Sequence, residues 1–154
     1  MRWCLTPLFA VLLVAGCAND GPCEGNFCSC FDTDECEFVC NDVPCTGECV
    51  SLDTCDGTCR DSCSLFCESS SGCDFVCEDL CTVECTSVSE CGIDCGADCD
   101  VSCTDLATCR VTMISGQVQC DRAGECDIRC ATAAGTEPAT DCGSGTFVCG
   151  SACP

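Results

Sequence analysis

Cysteine is the residue type in this chain that could carry the most chemistry. The 154 residues include 28 cysteines, 26 acidic and 5 basic side chains, and no histidine. Thiols can ligate soft metals, exchange disulfides or cross-link a fold, and their spacing separates these uses. Zinc sites and thioredoxin-type redox centres favour a C-x2-C pair, which this sequence lacks; its closest pair is Cys28-Ser29-Cys30. The spacing therefore favours cross-links over metal–thiolate storage or redox catalysis.

The other side chains exclude most catalytic and nucleic-acid functions. All 5 basic residues are arginines, so the chain has no lysine. It also has no tyrosine and no histidine, and thus lacks these three side chains for acid–base or nucleophilic catalysis. Nucleic-acid binding needs cationic side chains against the phosphates, and a formal charge of −21 opposes it. The neighbouring carboxylates Glu78 and Asp79 could act as an acid–base pair, but solvated surface charge explains them more simply. We therefore expect no catalysis, no cofactor and no nucleic-acid partner.

Cation binding by carboxylates is an alternative function. The run Asp32-Thr33-Asp34-Glu35 resembles the start of a calcium-binding loop, but Glu37 replaces its glycine and Val43 its final glutamate. Diffuse attraction of cations follows from the net charge and needs no site. An ice-binding face would need a regular threonine ladder, which the sequence does not show. Calcium binding therefore stays an alternative with no metal ligand assigned.

The first sixteen residues form a segment of a different kind. Arg2 precedes a mostly apolar run, Leu5 to Val14, which is too short to span a bilayer because a span needs about 20 residues. The run ends in Val14-Ala15-Gly16-Cys17, which resembles the lipobox of bacterial lipoproteins. This resemblance covers residues 1–17 only. It implies a signal peptide over residues 1–16, cleavage after Gly16 and a thioether-linked lipid on Cys17.

The same resemblance implies a location. Ala18 is not the aspartate that retains such lipoproteins at the inner membrane, so an outer-membrane or cell-surface destination is implied. Residues 17–22 would be the lipidated cysteine and a short tether to a domain over residues 23–154. The membrane is then a partner through the acyl chains, each buried CH₂ contributing about 0.8 kcal/mol, and no protein partner is indicated. The alternative is an ordinary signal peptide, with Cys17 as one more disulfide partner.

The exported domain cannot be held together by ordinary apolar burial. Leu, Ile, Val and Phe make up about 17% of residues 17–154, and the side-chain charge of that part is −22. Such a composition is typical of disordered chains, but its cysteine content indicates a disulfide scaffold. Without Cys4 and Cys17, 26 cysteines remain, an even number. Each bridge contributes about 2–4 kcal/mol by restricting the unfolded chain, so disulfides would replace the core.

The cysteines repeat every 18 residues. The unit C-x3-C-x3-C-x3-C-x5 has three perfect copies, over residues 55–72, 73–90 and 91–108, and an earlier copy over 36–54 contains one extra residue. The repeat is regular over 36–108 and degenerate over 109–154, where Met113 replaces a cysteine. Odd positions of the unit are cysteine or mainly apolar and even positions are mostly polar, which indicates strands. Each unit thus predicts strands at positions 1–5 and 9–13, a turn at positions 6–8 and a five-residue turn at positions 14–18.

Two all-β, disulfide-rich architectures fit this unit. A small β-solenoid of about six 18-residue coils is favoured, because stacked columns forbid changes in length; a row of disulfide-clipped β-hairpins is the alternative. Folding each unit about position 7 would bring position 1 opposite 13 and position 5 opposite 9. This predicts the pairs Cys73–Cys85, Cys77–Cys81, Cys91–Cys103 and Cys95–Cys99. We expect a lipid-anchored cell-envelope protein with a structural, protective or interaction role.

Overall fold

The chain folds as a stack of short strands joined by tight turns. A computed structural model describes residues 23–41 and 43–154, which contain no helix, and therefore none long and apolar enough to cross a membrane. The predicted β-solenoid is confirmed, with about 6 turns and many disulfides. Three sequence predictions, the signal segment 1–16, the tether 17–22 and the lipid site Cys17, lie outside the described residues.

Strands alternate between two facing sheets as the chain advances. Sheet A has the strand order β1-β2-β4-β6-β8-β10-β12-β16-β15, and sheet B has the order β14-β13-β11-β9-β7-β5-β3. From β2 to β13 every turn carries the chain from one sheet to the other. The strands are β1 (Cys23–Glu24), β2 (Phe27–Phe31), β3 (Glu35–Cys40), β4 (Cys45–Val50), β5 (Thr54–Cys59), β6 (Cys63–Glu68), β7 (Gly72–Cys77), β8 (Thr82–Thr86), β9 (Glu90–Cys95), β10 (Cys99–Thr104), β11 (Thr108–Met113), β12 (Gly116–Asp121), β13 (Glu125–Thr132), β14 (Gly135–Pro138), β15 (Thr140–Gly143) and β16 (Thr146–Cys149).

The 18-residue spacing of the sequence is the register of the parallel sheets. In sheet B, Cys73 of β7 pairs with Cys55 on one side and Cys91 on the other. The first full coil is one residue longer, since Cys36 pairs with Cys55, whereas Cys45 pairs with Cys63 at the usual spacing. The extra residue therefore falls in the turn between β3 and β4, because an insertion inside a strand would have shifted every following side chain to the other face.

The interior is a narrow space filled by cysteines and a few apolar side chains. Phe75, Leu65 and Met113 are among its largest fully buried residues, and Met113 occupies the place of a cysteine between Cys95 and Cys130. A Cβ added to Gly47 or Gly57 would lie 2.6 or 2.5 Å from Cζ of Phe38. The two glycines thus make room for an aromatic ring between sheets that disulfides hold close together.

The two ends of the stack are finished differently. At the C-terminal end, β14 pairs antiparallel with β13 and β16 pairs antiparallel with β12, so both sheets are covered by strands of reversed direction. At the N-terminal end, β1 covers two residues of β2, and among the described strands β3 has β5 as its one neighbour in sheet B. The outer edge of β3 is therefore open among the described residues.

Candidate functional site: cysteine columns and an acidic face

Two kinds of corner join the strands, and each has its own type of disulfide. We call the connections from sheet B to sheet A short corners (residues 41–44, 60–62, 78–80, 96–98 and 114–115). We call those from sheet A to sheet B long corners (residues 32–34, 51–53, 69–71, 87–89, 105–107 and 122–124). The short-corner bridges are Cys40–Cys45, Cys59–Cys63 and Cys95–Cys99. The long-corner bridges are Cys30–Cys36, Cys49–Cys55, Cys67–Cys73, Cys85–Cys91, Cys103–Cys109 and Cys120–Cys126.

The long-corner bridges overturn two predicted pairs. Cys73–Cys85 and Cys91–Cys103 do not form, because Cys85 bonds Cys91 with their Cα atoms 6.5 Å apart, and Cys73 and Cys103 bond Cys67 and Cys109. The prediction treated each unit as a closed hairpin. In the solenoid, the five residues after position 13 instead bring the chain back beside it as position 1 of the next coil. Long-corner bridges therefore link successive coils.

The short corners place the other two predicted pairs side by side. Cys95 bonds Cys99, with a Cα separation of 6.5 Å. Cys77 and Cys81 occupy the equivalent positions one coil earlier, and both are buried free thiols. Their Sγ atoms lie within 4.8 Å of each other and of the Cys95 Sγ. The structure thus brings this pair together without bonding it.

The environment of the two thiols makes them chemically unequal. Hydrogen bonding with Cys81 raises the pKa of Cys77, and burial raises it further. The same hydrogen bond lowers the pKa of Cys81, although burial opposes that change. The Cys81 thiol also donates to the carbonyl oxygens of Arg60 and Asp79, both at 3.5 Å, which favours its protonated form. Its exposure is only 1%, which restricts any reaction of this thiol to small reagents.

Sulfur also makes up the groups of potential metal ligands in the described ranges. In residues 23–41 and 43–154, each group of three or more ligand atoms within 4.8 Å of one another contains cysteines only. Disulfide sulfur is not a thiolate ligand, and Cys77 and Cys81 are the free thiols of these groups. A cluster suited to metal–thiolate storage is therefore not formed in this part of the chain.

The run Asp32-Thr33-Asp34-Glu35, which resembles the start of a calcium-binding loop, lies at the first long corner. Its backbone forms hydrogen bonds with the next coil. The carbonyl oxygen of Asp34 accepts hydrogen bonds from the amides of Asp53 and Thr54, at 2.9 and 3.0 Å. The Thr33 hydroxyl donates to the carbonyl of Glu35 at 3.2 Å. These contacts account for the corner as a structural turn, and its carboxylates belong to none of the groups of converging ligand atoms found in the described ranges.

Carboxylates do line up on the outer face of sheet B. Glu37, Asp56 and Asp74 occupy paired positions on β3, β5 and β7, so neighbouring members are one strand apart, about 4.8 Å. We call these three residues the acidic column. Partial burial raises the pKa of Asp74, and the charge of Asp56 raises it further, while Arg110 opposes the change.

The sequence contained a signal for the acidic column that linear motifs did not reveal. Asp56 and Asp74 have the same position in successive 18-residue units, and so does Gly92 in the next unit. A Cβ at Gly92 would collide with the Asp74 carboxylate, so this side chain reaches over the glycine. Arg110 stands on the far side of Gly92 in the register.

Comparisons with known proteins add no relative to this geometry. No protein-family model matches the chain, and neither a curated protein nor a solved structure gives a significant match.

Proposed function

We propose that the protein is a lipid-anchored cell-envelope protein whose acidic, disulfide-stapled solenoid has a structural, protective or interaction role without catalysis. The observation that carries the proposal is the set of 12 bridges among the described cysteines, 9 of them at corners of the solenoid. Such bridges persist outside the reducing cytosol, which agrees with the exported, lipidated chain that Val14-Ala15-Gly16-Cys17 implies. An outer-membrane or surface location is part of this proposal.

A passive role is supported by how the polar groups are used. In the described part of the chain, no buried side-chain nitrogen or oxygen lacks a hydrogen-bond partner. The described interior therefore has no unpaired side-chain nitrogen or oxygen that could bind a ligand. Ser70, the buried polar residue of the core, is used structurally: its hydroxyl accepts from the amide of Leu52 and donates to the carbonyl of Glu68.

Intact mass measured on the native exported protein tests the proposal. The wild-type chain should begin at Cys17, carry an acyl modification and fractionate with membranes. Cys17→Ser should lose the acyl mass and the cleavage after Gly16, whereas Cys4→Ser, a change within the removed segment, should leave the mature mass unchanged. A mature chain without acyl groups, released normally by both variants, would instead establish an ordinary signal peptide.

Divalent-cation binding is the second candidate, and the acidic column is the observation that favours it. Like-charge repulsion between Asp56 and Asp74 would be relieved by a cation between them, and this repulsion is one cause of the raised pKa of Asp74. Because that pKa is raised, protonation should weaken cation binding at a higher pH than for an ordinary aspartate.

Calorimetric titration of calcium into the unlipidated Cys17→Ser chain separates this candidate from diffuse attraction. Saturable heat that Asp74→Asn weakens about tenfold or more would support a site. Asp100→Asn is the matched control, because Asp100 is exposed on sheet A between the uncharged Thr82 and Gln117. Equal small heats from wild type and both variants would leave only diffuse screening by the net charge.

A further inference from the structure

We propose that the N-terminal end of the solenoid inserts exposed apolar side chains into a zwitterionic bilayer surface, so that the protein stands on the membrane on its first coil. The inference rests on the lipid anchor proposed above, and it adds a protein surface to a contact otherwise made by acyl chains alone.

Exposed apolar side chains are concentrated at this end of the molecule. Phe27, Phe31, Val39 and Val43 are 43%, 48%, 52% and 53% exposed, and we call these four residues the apolar ring. They fall within 17 consecutive residues, 27–43. The other large exposed hydrophobic residues in the described ranges are spread over the rest of the chain: Phe66, Val76, Leu80 and Ile114.

The apolar ring lies on both outer faces of the first coil. Phe27 and Phe31 are the two terminal residues of β2 and point away from the core, since Cys28 and Cys30 between them are buried. Val39 is an outward residue of β3, the strand with an open edge in sheet B, and Val43 lies in the short corner that follows. The opposite end of the stack is covered by antiparallel strands instead.

The position of the lipid site keeps this end close to the membrane. Cys23, the first residue of β1, follows Cys17 after five intervening residues, and an extended chain covers at most about 3.6 Å per residue. The first coil therefore stays within about 20 Å of the lipidated cysteine, which gives its side chains a high effective concentration at the bilayer. Side chains such as Phe bury about 5–10 Å into the boundary between headgroups and acyl chains.

The acidic charge of this end of the solenoid determines which kind of lipid surface it can approach. Residues 23–43 contain the acidic residues Glu24, Asp32, Asp34, Glu35, Glu37 and Asp42 and no basic residue. Two copies meeting end to end would bring like charges together, and an anionic lipid surface would repel this end in the same way. A zwitterionic surface carries no net charge and therefore lacks this repulsion.

Site-specific tryptophan fluorescence in vesicles tests the inference. Trp3 is the only tryptophan and lies in the segment removed on cleavage, so each variant of the mature chain has a single probe. Lipidated Phe27→Trp, Phe31→Trp and Phe66→Trp would be reconstituted into phosphatidylcholine vesicles with or without brominated acyl chains. Phe66 is the matched control, an exposed phenylalanine of sheet A on β6, away from the first coil.

Bromolipid should quench the probes at positions 27 and 31 about twofold or more and leave the probe at 66 unchanged. Replacing half of the phosphatidylcholine by phosphatidylserine should reduce that quenching. Acylated protein whose three probes are quenched equally, or not at all, would overturn the inference and leave the lipid anchor intact. A protected probe at position 31 without bromine quenching would show a protein partner, including a second copy, and would also overturn it. Absence of the acyl mass would remove the anchor itself, and the inference with it.

Discussion

The short and long corners connect the same two sheets, yet different forces hold them. Both kinds of corner contain a residue with positive φ. In the short corners φ is 57° at Ser62, 58° at Leu80 and 56° at Asp98. In the long corners φ is 60° at Ser51, 54° at Ser69, 57° at Ser87 and 56° at Asp105. Three long corners then turn an apolar side chain inward, since Leu52, Val88 and Leu106 are buried, and Ser70 is buried at the equivalent point of a fourth. The short corners contribute no such side chain to the described core.

The short corners use surface carboxylates instead. One Asp79 carboxylate oxygen accepts the amide of Ala97 in the next coil at 2.6 Å, and Asp61 accepts the amide of Asp79 at 3.3 Å. Burial makes a long corner part of the core, whereas a short corner depends on its bridge and on hydrogen bonds at the surface. This difference explains why the extra residue of the first full coil is tolerated at a short corner.

The same substitution at both kinds of corner gives the largest contrast. Leu106→Ala should lower the free energy of unfolding by about 2–4 kcal/mol, because it removes a buried side chain from a narrow core. Leu80→Ala, at an exposed short-corner position, should change it by less than about 0.5 kcal/mol. Denaturant unfolding of the oxidised proteins measures both values. Comparable losses at the two sites would mean that the long corners are not part of the core.

Removing bridges tests whether covalent closure matters equally at both corners. Replacing Cys103 and Cys109 by alanine should cost about 2–4 kcal/mol, and replacing Cys95 and Cys99 slightly less, since the short corner closes a smaller loop. The same double replacement of Cys77 and Cys81 should cost less than either, because it breaks no cross-link.

Alkylation of the unfolded, unreduced protein followed by mass spectrometry provides the control for these variants. It should label Cys77 and Cys81 and no residue of the bridged corners. If the Cys77 and Cys81 variant loses as much stability as the Cys95 and Cys99 variant, and neither thiol is labelled, the exported protein carries this bridge as well.

The hydrogen bonds of the short corners predict a smaller effect. Asp79→Ala should lower the free energy of unfolding by about 1 kcal/mol, because the amide of Ala97 loses its acceptor. Asp79→Asn keeps an acceptor oxygen and should recover most of the loss. Glu78→Ala is the control, an exposed neighbour in the same corner, and should have little effect on thermal or denaturant unfolding. Equal losses from Glu78→Ala and Asp79→Ala would point to net charge rather than to the hydrogen bond.

The contrast between the corners also marks what the sequence could predict. The 18-residue spacing predicted the register, the strands and the place of the extra residue, because stacked coils leave little freedom in length. The disulfide partners at the long corners were not predictable from alternation alone, since alternation places Cys73, Cys85 and Cys91 alike on the inward face and does not choose between them.

The buried side chains of the long corners were missed for a different reason. Their sequences are rich in Ser, Thr, Asp and Glu, which is typical of solvated turns, and a single apolar residue is inconspicuous there. Leu52, Ser70, Val88 and Leu106 nevertheless recur every 18 residues, so the repeat contained the signal. The acidic column likewise becomes visible only when the units are aligned.

The smallest predicted effect is a gain in stability at a short corner. Leu80 has φ of 58° and is 57% exposed, so it occupies a left-handed conformation without compensating burial. Asparagine adopts this conformation more readily, and Leu80→Asn should raise the free energy of unfolding by about 0.5–1 kcal/mol. Val76→Asn, an equally exposed apolar-to-polar change within β7, should give no gain, since a strand conformation favours valine. A gain at both sites would attribute the effect to reduced surface hydrophobicity, whereas a gain at Leu80 alone would show that this short corner retains backbone strain that corners with serine or aspartate at the same point, such as Ser62 and Asp98, have largely avoided.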